Sequence, residues 1–159
     1  MNIYIIAVGK LKEKFWRDAS FEYEKRISAY CNLHIIELSD LDPSRCGKKI
    51  AAVKKEGYEI LDAINKIKSR PHTILLDIAG KQKSSEELSS HIDTLAICGK
   101  SDIAFVIGGS FGVSSDVKAA SNESISFGKI TLPHNLARVV LLEQIYRAFK
   151  ISRKEPYHK

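Results

Sequence analysis

Hydrophobic and polar positions alternate in two patterns along this chain. Short apolar runs predict strands at residues 2–8, 32–38, 72–78, 102–107 and 124–127. Between these runs, apolar residues recur at helical spacing and predict helices at residues 15–30, 48–69, 85–98, 115–121 and 136–152. Strands that alternate with helices are typical of an α/β domain with a mostly parallel sheet flanked by helices.

Turn and capping residues mark several boundaries. Asp42-Pro43 predicts a turn after the second strand, and residues 79–81 predict a turn after the third. Ser84 and Glu87 have the spacing of a capping box, so we expect a helix to begin there. The last predicted helix is apolar on more than one face, which favours a second subunit as the partner of one face.

Length and composition narrow the class of protein. A chain of 159 residues that is 44% hydrophobic suffices for one domain with a buried core, and we assign residues 1–159 to it. The apolar runs are far shorter than the roughly 20 residues of a membrane span. The first residues lead directly into a strand without a basic leader. We therefore expect a soluble, cytoplasmic protein that does not contact membranes.

Cysteine and histidine spacing gives no local metal motif. Cys31, Cys46 and Cys98 include no C-x-x-C pair, and we expect them to be buried or half-buried thiols. The five histidines are far apart in the sequence, which excludes a motif of the H-E-x-x-H type. We therefore expect no metal.

The net charge of +6 is concentrated at the carboxyl end. Residues 129–159 contain seven Lys or Arg and only two acids, together with Tyr146, Phe149 and Tyr157. Cations that release counterions from phosphates, and aromatic rings that stack on bases, are features of a polyanion-binding surface. A solvated helix face with core aromatics is the alternative that composition leaves open.

In parallel sheets, ligands bind beyond the carboxyl ends of the strands, here the loops after Ile78, Ile107 and Phe127. The loop after Ile107 is the glycine-rich stretch 108–112. A dinucleotide fingerprint is disfavoured because G-x-G-x-x-G is absent and the loop follows the fourth strand. Three interpretations remain: a tight turn, a cofactor loop that binds through its backbone, and a nucleophile elbow.

The nucleophile elbow rests on a literal G-x-S-x-G match. Ser110 would be the nucleophile, and Asp116 and His134 follow it in the order Ser, Asp, His. Asp116 is only six residues beyond Ser110, and no H-G-G-G oxyanion segment precedes the loop. A small serine hydrolase is therefore the weaker alternative.

Five segments carry a resemblance to one known family. They read AVGKLK at 7–12, VIGGSFG at 106–112, SFGKITLPH at 126–134, RVVLLEQIYRAFK at 138–150 and PYHK at 156–159. Together they resemble the RlmH family of SPOUT-class ribosomal RNA methyltransferases, over nearly the whole chain. Phe111 stands where we would expect a small or polar residue in that family.

The resemblance implies a homodimeric α/β fold with a carboxyl-terminal trefoil knot, although generic topology rules disfavour knots. It implies that S-adenosylmethionine is used to methylate N3 of pseudouridine 1915 in 23S rRNA, on the assembled ribosome. A non-catalytic rRNA-binding module is a further alternative. The cofactor contacts that the resemblance implies are Leu76, Gly108, Phe127, Gly128, Lys129, Ile130, Thr131 and Leu132.

That reaction assigns roles to residues near the carboxyl end. His134 and His158 are candidate bases for the weakly acidic N3–H, while Arg147 and Tyr157 are candidates for orienting the base. Arg147 could instead pair with Glu143 on its helix, and His134 could only cap that helix. A composite site, with the cofactor on one subunit and the tail of the other above it, suits so small a chain. We assign phosphate contacts to Arg138, Lys150, Arg153 and Lys154.

Overall fold

The computed structural model describes residues 1–41 and 49–157. Strands and helices alternate along the described chain. The strands are β1 (Asn2–Val8), β2 (Asn32–Leu38), β3 (His72–Gln82), β4 (Asp102–Ile107) and β5 (Glu123–Ser126). The helices are α1 (Lys14–Ile27), α2 (Lys49–Lys66), α3 (Ser85–Ile97), α4 (Ser115–Ala120) and α5 (His134–Ser152).

The five strands form one parallel sheet in the order β2-β1-β4-β3-β5. Alternate residues of the central strands point to opposite faces, as strand geometry requires. Ile5 and Phe105 pack in a core with α1, α3 and α5, whereas Ile6 and Val106 pack in a second core with α2 and α4. Burial on both faces explains why β1 and β4 are apolar almost throughout. The predicted α/β class with a parallel sheet is confirmed.

One predicted turn is wrong. Residues 79–81 continue β3, which runs on to Gln82. Ile125 of β5 pairs with Leu76 and again with Lys81, so the residues between them form an irregularity in the ladder. A Cβ on Gly80 would lie 2.6 Å from the backbone carbonyl carbon of Ile125. Glycine therefore serves close strand approach at this position and not a chain reversal.

The other boundaries agree within a few residues. The capping box is confirmed, because the amide of Glu87 donates to Ser84 Oγ at 3.2 Å and the amide of Ser84 donates to Glu87 Oε2 at 2.7 Å. Cys31 is buried as predicted, whereas Cys98 is exposed because it follows the last turn of α3. The Asp42-Pro43 turn and Cys46 lie outside the described residues. Among the described helices, none is long and apolar enough to cross a membrane.

Candidate active site

A cavity of about 650 Å³ opens beside the middle of β3 and at the carboxyl ends of β4 and β5. Its walls come from residues 76–78 within β3, from the loops after β4 and β5, from Lys118 of α4 and from the first turn of α5. Parallel strands direct their following loops to the same edge of the sheet, so segments far apart in the sequence meet here. The cavity lies where the strand pattern predicted a ligand site.

The loop after β5 is held by a short hydrogen-bond circuit. Ser126 Oγ accepts the amide N–H of Gly128 at 3.1 Å and lies 2.9 Å from the carbonyl oxygen of Gly128 and 3.2 Å from that of Ile78. Gly128 has a φ of +111°, which side chains with a Cβ rarely adopt. A Cβ there would meet no atom within 4 Å. The constraint is therefore conformational, and the residue leaves open space at the wall of the cavity.

The glycine loop after β4 packs closely on its surroundings. A Cβ on Gly108 would lie 2.5 Å from Val113 Cγ1, and one on Gly109 would lie 2.7 Å from Glu56 Oε2. The amide of Gly112 donates to the carbonyl of Gly109 at 3.1 Å, which closes the loop on itself. Glycine at positions 108 and 109 is therefore required by packing within the protein.

The nucleophile elbow finds no geometric support. Ser110 is exposed in the glycine loop, and Asp116 is exposed in the first turn of α4. Among the residues that the structure describes, no hydrogen bond connects Ser110, Asp116 and His134. A serine nucleophile needs a base within hydrogen-bond reach and a third group that orients the base.

Glu56, behind the glycine loop, is an ionisable residue that the sequence patterns did not single out. It lies on α2, is 3% exposed, and accepts the amide N–H of Leu41 through Oε1 at 3.2 Å. Its Oε2 has no hydrogen-bond partner among the described residues. Burial raises the pKa of Glu56 above its ordinary value, and the nearby Asp40 and Glu59 charges act in the same direction.

Asp77 and Lys118 form an ion pair at the cavity wall, and neither was predicted. Lys118 Nζ lies 2.5 Å from Asp77 Oδ2, and the amide of Ala79 donates to Oδ1 at 3.2 Å. The hydrogen bond from Lys118 holds the pKa of Asp77 below its ordinary value, against a smaller opposing effect of burial. A carboxyl group that interrupts the apolar run of β3 was the signal available in the sequence.

The structure brings most predicted cofactor contacts together. Seven of the eight line the cavity, namely Leu76, Gly108, Phe127, Gly128, Ile130, Thr131 and Leu132. Lys129 is not among the lining residues. This arrangement places the predicted residues around one space, and their contact with a cofactor stays a prediction.

His134 also lines the cavity, as the first residue of α5. Its ring stands beside the loop after β1, because a Cβ on Gly9 would lie 2.9 Å from His134 Nε2. The alternative that His134 caps α5 is wrong. Pro133 occupies the N-cap position, and no side chain from the described part of the chain makes a capping hydrogen bond to this helix.

Arg147 and Tyr157 lie together, but outside the cavity lining. Arg147 Nε donates to Glu143 Oε1 at 2.9 Å, and Tyr157 Oη donates to the same oxygen at 3.3 Å. The guanidinium carbon is 4.8 Å from the centroid of the Tyr157 ring. Burial, followed by the contact with Tyr23, raises the pKa of Tyr157 to about 12. The helix-surface pair of Glu143 and Arg147 is therefore present in the protomer.

Two groups of predicted catalytic residues are thus separated. An α-helix rises about 1.5 Å per residue, so the 13 residues from His134 to Arg147 correspond to about 20 Å along α5. One protomer does not bring His134 and Arg147 to the same nucleobase. His158, the other candidate base, lies outside the described residues.

The predicted phosphate contacts divide into buried and exposed residues. Arg138 is 5% exposed and its Nη1 lies 2.6 Å from Glu37 Oε1, because its position on α5 turns it toward β2. Its contact with phosphate stays a prediction that the protomer does not favour. Lys150 Nζ is also paired, 2.5 Å from Glu155 Oε2. Arg153 and Lys154, beyond the end of α5, are exposed.

Comparison with known proteins decides the family. A family model described as "Predicted SPOUT methyltransferase" matches residues 1–158. This chain belongs to the SPOUT methyltransferase family. The SPOUT chain is 55% identical, over 100% of both chains, to proteins named ribosomal RNA large subunit methyltransferase H from Bacillus thuringiensis (strain Al Hakam) and Bacillus anthracis. The resemblance to the RlmH family is confirmed.

Solved structures of low sequence identity share the SPOUT fold. The SpoU methyltransferase AviRb from Streptomyces viridochromogenes, solved with its cofactor AdoMet, matches with a TM-score of 0.50 and 11% identity, over 96% of this chain and 61% of that one. A methylase family protein from Neisseria gonorrhoeae matches with a TM-score of 0.52 and 13% identity, over 99% and 86%. The predicted SPOUT fold class is confirmed.

Proposed function

We propose that this protein is an S-adenosylmethionine-dependent methyltransferase of large-subunit ribosomal RNA, and that its acceptor is N3 of pseudouridine 1915 in the assembled ribosome. The observation that carries the proposal is the cavity at this edge of the sheet, which β3 and the loops after β4 and β5 enclose. Full-length similarity to ribosomal RNA large subunit methyltransferases H supports the substrate class. A ribosomal substrate is consistent with the expected cytoplasmic location.

The cavity suits the methyl donor. Its volume of about 650 Å³ falls in the range of small-molecule sites. Gly112 and Gly128 both line it, and a Cβ at either position would meet no protein atom within 4 Å, so both leave open wall space. Leu76, Gly108 and residues 127–132 would hold the donor. When bound, S-adenosylmethionine supplies an electrophilic methyl group on a sulfonium.

The main task of the protein in such a displacement is positioning. The acceptor nitrogen must lie in line with the methyl carbon while water is excluded. His134 at the cavity wall is positioned to take the N3 proton, since the imide N3–H must be lost for the nitrogen to attack. Leu132, a half-buried apolar residue of the same cavity wall, helps to exclude water.

A second copy of the chain supplies the rest of the site in this proposal. Arg147 is about 20 Å along α5 from His134, and Tyr157 of the tail packs against Arg147, so both reach a nucleobase at the cavity only from a partner subunit. Val139 and Val140 on α5 are only half-buried in the protomer and offer it an apolar contact surface. The homodimer and the trefoil knot of the family belong to this proposal, and Arg153 and Lys154 are its phosphate contacts.

Transfer of a labelled methyl group tests the proposal directly. Purified protein and labelled S-adenosylmethionine are incubated with ribosomes that lack the modification, and the labelled nucleoside is located by mass spectrometry. We expect label at N3 of pseudouridine 1915. Label at another nucleotide would contradict the acceptor assignment. Ribosome binding without donor binding in calorimetry would favour the non-catalytic module.

A further inference from the structure

Three metal-ligating side chains meet at the end of the sheet opposite the cavity. His72 is the first residue of β3, Glu123 is the first residue of β5, and His91 is on α3. None of the three lines the cavity, and the methyltransferase mechanism does not use them. Pairing of β3 with β5 and packing of α3 beside them bring together residues that are up to 51 positions apart.

The three side chains converge on one point. His72 Nε2 lies 2.8 Å and His91 Nε2 lies 2.5 Å from the same oxygen, Oε1 of Glu123. One ligand atom from each residue falls within a group whose members are at most 4.8 Å apart. The side chains are 17%, 23% and 24% exposed, so the group is shielded yet reachable by an ion and by water.

The surrounding backbone fixes the positions of two ligands. The amide of Thr73 donates to the Asn122 side chain at 2.8 Å, and the amide of Asn122 donates to the carbonyl of Thr73 at 2.9 Å. This reciprocal pair connects the residues next to His72 and Glu123. On the other side, Ser89 Oγ donates to the carbonyl of Ala148 at 2.7 Å, which ties α3 to α5. A preorganised group loses less entropy when it binds an ion.

The donor atoms of the group also suit a cation. Two imidazole nitrogens and one carboxylate oxygen are donors that divalent zinc, cobalt and nickel accept.

We propose that His72, His91 and Glu123 bind one divalent transition-metal ion of the zinc type. Metal–ligand bonds of about 2.0–2.1 Å at tetrahedral angles separate ligand atoms by about 3.3 Å. The two nitrogens therefore move outward from Oε1 by less than about 1 Å, and two ligand atoms at the 4.8 Å limit approach each other by about 1.5 Å. Water completes the coordination. The ion ties the starts of β3 and β5 to α3, and its role is to stabilise the fold.

Metal titration tests this proposal without reference to methyl transfer. The full chain, without a polyhistidine tag and stripped with a chelator, is titrated with ZnCl₂ in competition with a chromophoric chelator. CoCl₂ is added in parallel to record its visible absorption. The variants are His72→Asn, His91→Asn and Glu123→Gln. His34→Asn is the matched control, because His34 is an exposed histidine on β2 outside the group.

We expect one ion per wild-type chain, affinity at least about tenfold weaker in each of the three variants, and unchanged affinity in His34→Asn. Zn²⁺ should raise the melting temperature of the wild type and of His34→Asn, but not that of the three ligand variants. Circular dichroism checks that each variant folds. If His72→Asn and Glu123→Gln do not fold, His91→Asn decides, because α3 packs largely through other residues. Absence of binding at about 100 µM Zn²⁺, or binding that survives in every folded variant, would overturn the proposal and leave a hydrogen-bonded His–Glu–His group.

Discussion

Gly128 shows how one residue connects backbone conformation to ligand binding. Its φ of +111° reverses the chain after β5, and its amide and carbonyl groups both contact Ser126 Oγ. A side chain at this position would strain the backbone and project toward open space at the cavity wall.

We expect Gly128→Ala to weaken S-adenosylmethionine binding by about tenfold or more in calorimetry, because the loop moves or the methyl group occupies donor space. Gly99→Ala is the matched control. Gly99 has a φ of +76° and equally open surroundings, but it ends α3 away from the cavity. Both variants should lose about 1 kcal/mol of unfolding free energy from backbone strain. Equal donor affinity in the two variants would count against the cavity as the donor site.

The buried carboxyl group of Glu56 leads to a prediction about stability. Because burial raises its pKa and Oε2 has no partner among the described residues, the ionised form is unfavourable in the folded state. We expect Glu56→Gln to raise the free energy of unfolding at pH 8 by about 1 kcal/mol, measured by urea denaturation.

The pH dependence gives the sign of this effect. A carboxyl with a raised folded-state pKa binds its proton more tightly when folded, so wild-type stability rises as the pH falls through that pKa. The difference between wild type and Glu56→Gln should therefore shrink from pH 8 toward pH 5. Glu13→Gln, at an exposed carboxyl just before α1, is the control. A Glu56→Gln protein less stable than wild type at pH 8 would show that the carboxylate makes a favourable contact.

Among the helices, α5 has different contacts at its two ends. Its first turn closes the cavity through His134, whereas its carboxyl half packs on α1 and receives the tail. Tyr157 donates to Glu143, and its ring meets Tyr146 with centroids 4.8 Å apart. The tail is thus anchored on its own helix, far from the cavity of its own protomer.

Removal of the tail should separate donor binding from methyl transfer. We expect a chain that ends at Glu155 to bind S-adenosylmethionine with affinity within about twofold of wild type, and to transfer no methyl group to ribosomes. Tyr157→Phe is the matched variant, since it removes only the hydroxyl that contacts Glu143. Wild-type turnover by the shortened chain would exclude the tail from the site.

The whole molecule must unite the two ends of α5, and a dimer does so. If the cavity of one subunit works with the tail of the other, two different inactive variants complement each other. We mix His134→Ala with Tyr157→Ala chains under conditions that exchange subunits. Random pairing makes about half of the dimers mixed, and each mixed dimer has one intact site, so about a quarter of wild-type activity should return. Each variant incubated alone is the control, and a mixture as inactive as its components would contradict the composite site.

The α/β class and the position of the cavity were predictable because they depend on local periodicity. Strands buried on both faces are apolar throughout, as in β1 and β4, and helical spacing follows from 3.6 residues per turn. The loops after parallel strands meet at one edge, so the predicted cofactor residues came together. The prediction of a turn at residues 79–81 was wrong, because these residues pair with β5, which is distant in the sequence.

The amino-acid sequence by itself determined the elements, the edge of the sheet that holds the cavity, and the family. Only the tertiary structure decided which charges are available and which distant side chains meet. The sequence shows that Arg138 carries a positive charge. It does not show that Arg138, on α5, is buried and paired with Glu37 of β2. His72, His91 and Glu123 have no spacing motif and converge through strand pairing. The hydrophobic periodicity of a segment depends only on residues close together in the sequence. Burial, ion pairing and pKa depend on neighbours that only folding brings close.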